Sequence, residues 1–114
     1  MRAEGLSTTA IDTGFTSLFV TARDGLKLHA RDYGPHASHA IPIVCLPGFA
    51  RTAADSHELA LALSSGEAKP RRVLALDYRG RGRSGFDKDW RNYDIRVELD
   101  DLMQVLTAAG TEEA

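Results

Sequence analysis

The sequence predicts an α/β fold whose sheet is mixed and has parallel strands at its core. Two short apolar runs, residues 41–46 and 72–78, are typical of strands buried on both faces, and a segment with helical spacing lies between them. Ahead of them, a stretch with strand character over 15–33 is divided by Asp24-Gly25, a hairpin turn signal. The predicted order is therefore a β-hairpin followed by β-α-β-α, in which a right-handed crossover joins the two buried, parallel strands.

Both predicted helices carry boundary signals. Thr52, with Asp55 three residues later, forms a capping box that starts the first helix, and Gly66 can end it. The second helix is predicted from four apolar residues at i, i+4, i+7 and i+11, which we expect to form its buried face; Gly110 is a natural stop. The four residues are Ile95, Leu99, Leu102 and Leu106.

Composition and local patterning define the class of protein. The chain has 114 residues, is 43% hydrophobic and 26% charged, and carries a formal net charge of −2, which is typical of a soluble globular protein. Residues 1–14 are small and polar without a period, so we expect a flexible N-terminal arm, followed by a single α/β unit over 15–114. The single cysteine, Cys45, excludes an intrachain disulfide framework and lies in a predicted buried strand.

The charge and hydropathy patterns also bear on partners. The longest nearly apolar run, 41–50, is interrupted by prolines and is shorter than the roughly 20 residues of a membrane-spanning helix. No apolar leader follows the first residues. The basic stretch 69–83 is followed directly by acidic residues that neutralise it. We therefore expect a cytoplasmic protein without a membrane or nucleic-acid partner.

A glycine-rich segment after the second buried strand has two interpretations. Gly80, Gly82 and Gly85 match the G-x-G-x-x-G pattern of dinucleotide-binding loops, which requires a helix to open inside the motif. The residues that follow, 86–92, are polar, lack a helical period and carry negative charge where a phosphate would lie. A loop shaped by Arg–Asp contacts is therefore the preferred interpretation, and dinucleotide binding is the alternative.

The remaining candidate groups favour structural roles. No serine lies in a G-x-S-x-G motif. His36 and His39 could share a metal ion, but their polar loop has no supporting carboxylate, so solvated side chains are preferred. His29 is placed facing outward on its strand, and His57 on a helix surface. Cys45 is interpreted as inert core, and we expect no metal site and no cofactor.

Two segments together resemble the amino-terminal part of an α/β-hydrolase. The first buried strand ends in Leu46-Pro47-Gly48-Phe49, which is similar to the family's His-Gly-x turn with Pro47 in the histidine's place. The second ends in the segment from Asp77 to Ser84, which looks like the family's D-x-R-G-x-G-x-S motif. The resemblance covers about residues 15–114. In the family pattern the G-x-S-x-G nucleophile elbow, the catalytic acid and the histidine all lie beyond this chain.

The resemblance implies a role for several residues. The backbone N–H of Phe49 matches one donor of the family's oxyanion hole, while the second donor belongs to the absent elbow. Gly48, Phe49 and Trp90 are expected to line the substrate site, with Tyr93 near it. The residues expected to shape the loop, without a catalytic role, are Asp77, Arg79, Gly80, Gly82 and Ser84.

These roles imply a fragment of a hydrolase that acts by nucleophilic catalysis on an ester or related bond of a small-molecule substrate. We expect the chain alone to be inactive. In the family's sheet order the 41–46 strand lies beside the nucleophile strand, so its free edge would accept the missing C-terminal portion or another chain. The alternative is a non-catalytic α/β module that binds a partner through that edge. The substrate, and serine versus aspartate as the nucleophile, stay open.

Overall fold

The protein is described here from a computed structural model, which describes residues 6–8, 14–36, 41–48, 51–65 and 70–111. Five strands and two α-helices are present within these ranges, together with two short 3-10 helices at Ala53–Ser56 and Trp90–Asn92. The strands and helices are β1 (Leu6–Thr8), β2 (Phe15–Thr21), β3 (Lys27–Tyr33), β4 (Ile43–Cys45), α1 (His57–Ser65), β5 (Val73–Asp77) and α2 (Ile95–Ala108).

The strands form one mixed sheet in the order β1-β2-β3-β5-β4. The pairs β1–β2, β2–β3 and β3–β5 are antiparallel, whereas β4 and β5 are parallel. In the register of β3 and β5, His29 lies opposite Asp77. The predicted α/β class, with a hairpin and a parallel pair, is confirmed, and β4 lies at one edge of the described sheet.

The two helices cover opposite faces of the sheet. Because successive strand residues point to opposite sides, each face has its own core cluster. One core cluster combines strand residues with the first 3-10 helix and α1, and the other combines strand residues with α2. The first contains Phe15, Tyr33, Ala53, Ala60, Val73 and Ala75. The second contains Val20, Ala22, Leu28, Ala30, Leu76 and Val105. Within the ranges described, no helix is long and apolar enough to cross a membrane.

Two strands differ from the sequence-based expectation. β1 falls inside the predicted N-terminal arm of residues 1–14, where it pairs with β2 and sets Leu6 opposite Val20. Three residues are too short to show a period of two, which is why the pattern did not predict this strand. The rest of the arm, residues 1–5 and 9–13, lies outside the described residues. β4 is shorter than predicted, because Pro42 precedes it and has no N–H for the ladder.

The buried face of α2 is not the one that the apolar spacing predicted. Ile95 is 77% exposed and Leu99 is 56% exposed, whereas Asp101 and Val105 are buried. Asp101 faces inward because it forms an ion pair with the buried side chain of Arg79. Of the four predicted residues, Leu102 does pack against the second core cluster and Leu106 is half-buried, so the prediction failed for Ile95 and Leu99.

Candidate active site

The two segments that carry the resemblance lie at one end of the parallel pair. The turn Leu46-Pro47-Gly48 follows β4, and the segment from Tyr78 to Ser84 follows β5. The carboxyl ends of parallel strands meet at the same edge of a sheet, and open α/β sheets bind ligands there. Pro47 is buried and Gly48 is exposed. Phe49 lies outside the described residues, so the direction of its N–H stays a prediction.

Asp77, the last residue of β5, connects the two segments. Its Oδ1 accepts a hydrogen bond from the backbone N–H of Ala53 at 2.7 Å, at the start of the 3-10 helix that follows the turn. Its Oδ2 is 2.6 Å from Nδ1 of His29 and accepts the N–H of Arg83 at 3.2 Å. The carboxylate therefore joins the segment after β4 to β3 and to the loop after β5.

The charge of Asp77 is stabilised by these contacts. Burial acts to raise the pKa of this carboxyl, but hydrogen bonds from the His29 ring and from the N–H groups of Ala53 and Arg83 outweigh it, so the net pKa is lowered. An ionised carboxylate is the form that accepts all three hydrogen bonds. Asp77 is therefore a buried, charged anchor.

The glycines of the loop pack against neighbouring side chains. A Cβ added to Gly82 would lie 2.2 Å from Oδ1 of Asp77, and the residue adopts a φ of +51°. A Cβ added to Gly80 would lie 2.7 Å from the hydroxyl of Tyr93. Ser84 accepts the His29 backbone N–H at 2.8 Å through Oγ and donates to the carbonyl of Asp77 at 2.7 Å.

Arg79 is buried and shares its guanidinium among three carboxylates. It donates to Asp101 at 2.7 Å from both Nε and Nη2, and from Nη1 to Asp24 and Asp87 at 2.8 Å each. The hydrogen bond with Asp101 is the largest of the effects that raise the pKa of Arg79, while burial opposes it. The pKa of Asp24 is lowered, chiefly by its hydrogen bond from Arg79. The predicted Arg–Asp contacts of this loop are therefore confirmed.

A cavity of about 470 Å³ lies beside this cluster, between the β2–β3 turn and α2. Its lining residues are Arg23, Asp24, Arg79, Asn92, Arg96, Val97, Asp100 and Asp101. The charged groups of this lining are paired, for example Arg23 with Asp100 and Arg96 with Asp94. Neither Gly48 nor Trp90 lines this cavity.

The aromatic residues of the loop are exposed. Trp90 begins the second 3-10 helix and is 79% exposed, and Phe86 also faces solvent. The hydroxyl of Tyr93 accepts the N–H of Asp87 at 2.8 Å and so closes the loop on itself. The expected contribution of Trp90 to a substrate site stays a prediction.

The glycine motif does not form a phosphate-binding helix start. Residues 78–89 contain turns and bends but no helix. The N–H of Gly80 donates to the carbonyl of Gly85 at 2.7 Å, so an amide of the motif is used inside the loop. This geometry lacks the helix N-terminus that dinucleotide binding requires.

The outward placement of His29 was wrong, and so was the absence of a carboxylate near His36, although the His36 side chain is 65% exposed as expected. His29 is 1% exposed, because its ring lies between Asp77 and Oγ of Ser17, which is 2.9 Å from Nε2. His57 is partly buried, with Nδ1 2.8 Å from the hydroxyl of Tyr33. His36 does have a carboxylate nearby: its Nε2 is 2.8 Å from Asp32.

The structure also bears on metal binding and on the cysteine. Among the described residues no group of three or more His, Cys, Asp or Glu could hold a metal ion, and His39 lies outside them. Cys45 is a free, half-buried cysteine. Burial raises the pKa of its thiol despite a hydrogen bond with Ser56, which makes it a poor nucleophile.

Comparison with solved structures supports the fold relationship that these segments indicate. An α/β hydrolase from Novosphingobium aromaticivorans DSM 12444 is 36% identical with a TM-score of 0.78, and the match covers 90% of this chain and 34% of that one. An epoxide hydrolase from an endophytic Streptomyces matches with 23% identity, a TM-score of 0.77 and coverages of 90% and 29%. An esterase from Exiguobacterium antarcticum matches with 25% identity, a TM-score of 0.71 and coverages of 82% and 31%.

The fold of this chain is therefore similar to part of the α/β-hydrolase fold. It spans about a third of the length of the solved structures it matches. No family model and no curated protein sequence matches it.

Proposed function

We propose that this chain forms the amino-terminal part of a hydrolase that cleaves an ester or related bond through a nucleophilic enzyme group. The observation that most supports this is the 36% identity to an α/β hydrolase over 90% of the chain, at a TM-score of 0.78. An esterase and an epoxide hydrolase among the solved structures share the fold. The nucleophile, the acid and the histidine would come from the rest of the fold.

Within that enzyme, the turn after β4 would stabilise negative charge. Attack on a carbonyl places a negative charge on its oxygen, and a fixed backbone N–H in a dry site stabilises that charge in the transition state. The N–H of Phe49 is the proposed donor, and Gly48 precedes it in the exposed part of the turn. The anchoring of Ala53 to Asp77 supports a fixed turn, because it ties the segment that follows Phe49 to the sheet.

Complementation tests this proposal. Residues 1–114 would be co-expressed with the part of the Novosphingobium protein that this chain does not match, termed here the complementing polypeptide. The proposal expects turnover of a p-nitrophenyl ester by the pair and none by either part alone. Significant turnover by residues 1–114 alone would contradict the assigned role, because the nucleophile would then have to lie within this chain.

A second candidate is a non-catalytic module that binds a partner strand. β4 pairs with β5 and has no second neighbour among the described strands. Ile41 and Leu46, at its two ends, are 47% and 49% exposed, so the edge presents apolar surface as well as free backbone groups. Sequencing the coding DNA past the Ala114 codon separates the candidates. A continuing frame with G-x-S-x-G within about twenty residues favours the enzyme, and a stop codon favours the module.

A further inference from the structure

A buried row of polar side chains crosses three strands and has no part in the proposed chemical step. Ser17 on β2, His29 on β3 and Asp77 on β5 are all buried. Oγ of Ser17 is 2.9 Å from Nε2 of His29, and Nδ1 of His29 is 2.6 Å from Oδ2 of Asp77. A buried polar row is costly to maintain unless every member is paired, so its completeness is informative.

The hydrogen-bond directions at the two ends of this row follow from its donors and acceptors. Nη1 of Arg83 donates to Oγ of Ser17 at 2.9 Å, and a guanidinium is a donor only. The same Oγ of Ser17 also hydrogen-bonds to Nε2 of His29 at 2.9 Å, with a direction that depends on the protonation of the ring. His29 carries a proton on Nδ1 and donates it to Asp77, which as a carboxylate accepts only. Each ring nitrogen therefore has a hydrogen-bond partner, and Nδ1 is the donor to Asp77.

This arrangement fixes the orientation of the Asp77 carboxylate. With Oδ2 held by His29 and by the N–H of Arg83, Oδ1 is directed at the N–H of Ala53, 2.7 Å away. Ala53 is four residues after Phe49, and its side chain is buried in the first core cluster. The segment after β4 also has hydrogen bonds within itself, such as the one that the Arg51 N–H donates to the Gly48 carbonyl at 3.0 Å.

We propose that His29 is a positioning residue for the turn after β4, because its Nδ1–H holds the Asp77 carboxylate in the orientation that anchors Ala53. Ser17 supports it by a hydrogen bond to Nε2 on the other side of the ring. The link to catalysis rests on the proposed function, but the anchoring does not. The prediction is therefore local: loss of the Nδ1–H donor loosens residues 51–53 more than the rest of the fold.

Amide hydrogen exchange measured by NMR on residues 1–114 tests the anchoring. The variants are His29→Leu, which removes the donor, and His29→Asn, whose amide nitrogen occupies the Nδ1 position. His29→Leu should speed exchange at Ala53 and Thr52 by about tenfold or more relative to the amides of α2, and His29→Asn should restore most of the protection. Leu28→Ala, on the opposite face of the same strand, is the control and should change both groups of amides in proportion.

Several outcomes would overturn the inference. Proportional changes at Ala53 and in α2 for His29→Leu would show a general loss of stability without positioning. Failure of His29→Asn to restore protection would exclude the Nδ1–H as the cause, and an unprotected Ala53 amide beside a protected α2 in the wild type would exclude the anchor. If residues 1–114 alone show no protected amide, the same ratios are measured on the complex with the complementing polypeptide, where the same results decide.

The complemented enzyme supplies a separate readout. There His29→Leu should lower kcat about 10- to 100-fold with little change in KM, since a misplaced turn affects the transition state more than substrate binding. An unchanged kcat together with loosened residues 51–53 would overturn the positioning role and leave the anchor in place. Absence of any activity in the wild-type pair would count against the proposed function, while the exchange ratios would still decide on His29.

Discussion

Asp77 and Gly82 show how single residues shape the end of the sheet. The Asp77 carboxylate accepts hydrogen bonds from three elements. Gly82 lies so close to it that a side chain at position 82 would clash with the Asp77 oxygens. Both residues stand in the segment that carries the family resemblance, so the sequence could identify them. The partners of Asp77 could not be found in the same way, because His29 and Ser17 join it only through the register of three strands.

Gly82→Ala tests the close packing at this position. The added Cβ would lie 2.2 Å from Oδ1 of Asp77, so we expect a loss of about 2–4 kcal/mol in the free energy of unfolding. Gly110→Ala is the matched control: it also has a positive φ but open space around it, and should cost about 1 kcal/mol. Urea unfolding of the complex with the complementing polypeptide measures both variants. Equal losses would show that backbone conformation, and not contact with Asp77, explains the glycine.

The lowered pKa of Asp77 predicts an acid-sensitive fold. A carboxyl whose pKa is lower in the folded state stabilises that state above its unfolded pKa, near 4, and the contribution disappears as the pH falls through the folded pKa. Stability should therefore fall below about pH 4, and Asp77→Asn should flatten this limb while lowering stability at pH 7. Glu58→Gln, at an exposed position in the first turn of α1, removes the same charge as a control. Unfolding curves of the complex with the complementing polypeptide, measured from pH 2 to 7, would contradict the assignment if stability kept the same slope against pH in Asp77→Asn.

The ion pairs of Arg79 determine which face of α2 packs against the sheet. The guanidinium bonds to Asp24 in the β2–β3 turn, to Asp87 in the loop and to Asp101 on α2, so one side chain ties three elements together. The sequence predicted the helix and its end correctly, and it predicted Arg–Asp contacts in the loop. It could not predict which aspartate lies on α2's inner face, because apolar spacing carries no information about a buried ion pair.

Arg79→Met tests the cluster. Replacement leaves Asp101 buried beside two other carboxylates without their cation, so we expect a loss of about 3–5 kcal/mol in unfolding free energy. Arg91→Ala removes an arginine from an exposed pair with Asp89 and should change stability far less. Thermal or urea unfolding of the complex with the complementing polypeptide measures both. A small effect of Arg79→Met would show that α2 is held by apolar packing alone.

Two regions of the molecule expose apolar surface to solvent: the β4 edge and one side of α2. Ile41 and Leu46 flank the edge strand, while Ile95, Leu99 and Met103 face solvent on the helix. Isolated chains with such edges associate or lose fixed packing. The edge position of β4 followed from the resemblance, since the family's sheet order places another strand beside it.

Self-association tests the edge. We expect residues 1–114 alone to be partly molten or to associate, and Ile41→Lys to reduce association because a charge beside an edge strand opposes pairing. Leu59→Lys, at an exposed leucine of α1, is the control and should change association less. Sedimentation velocity and near-ultraviolet circular dichroism measure these states. A monomeric chain with cooperative unfolding would contradict the expectation.

The backbone N–H of Phe49 is the group on which the proposed chemistry depends, and one comparison tests it directly. Phe49→Pro removes that N–H, whereas Phe49→Ala keeps it and removes only the side chain. In the complemented enzyme, Phe49→Pro should lower kcat for a p-nitrophenyl ester by about 10²–10³-fold, and Phe49→Ala should lower it far less. Equal kcat values for the two variants, in complexes of equal stability, would contradict the assignment of this turn to the oxyanion hole.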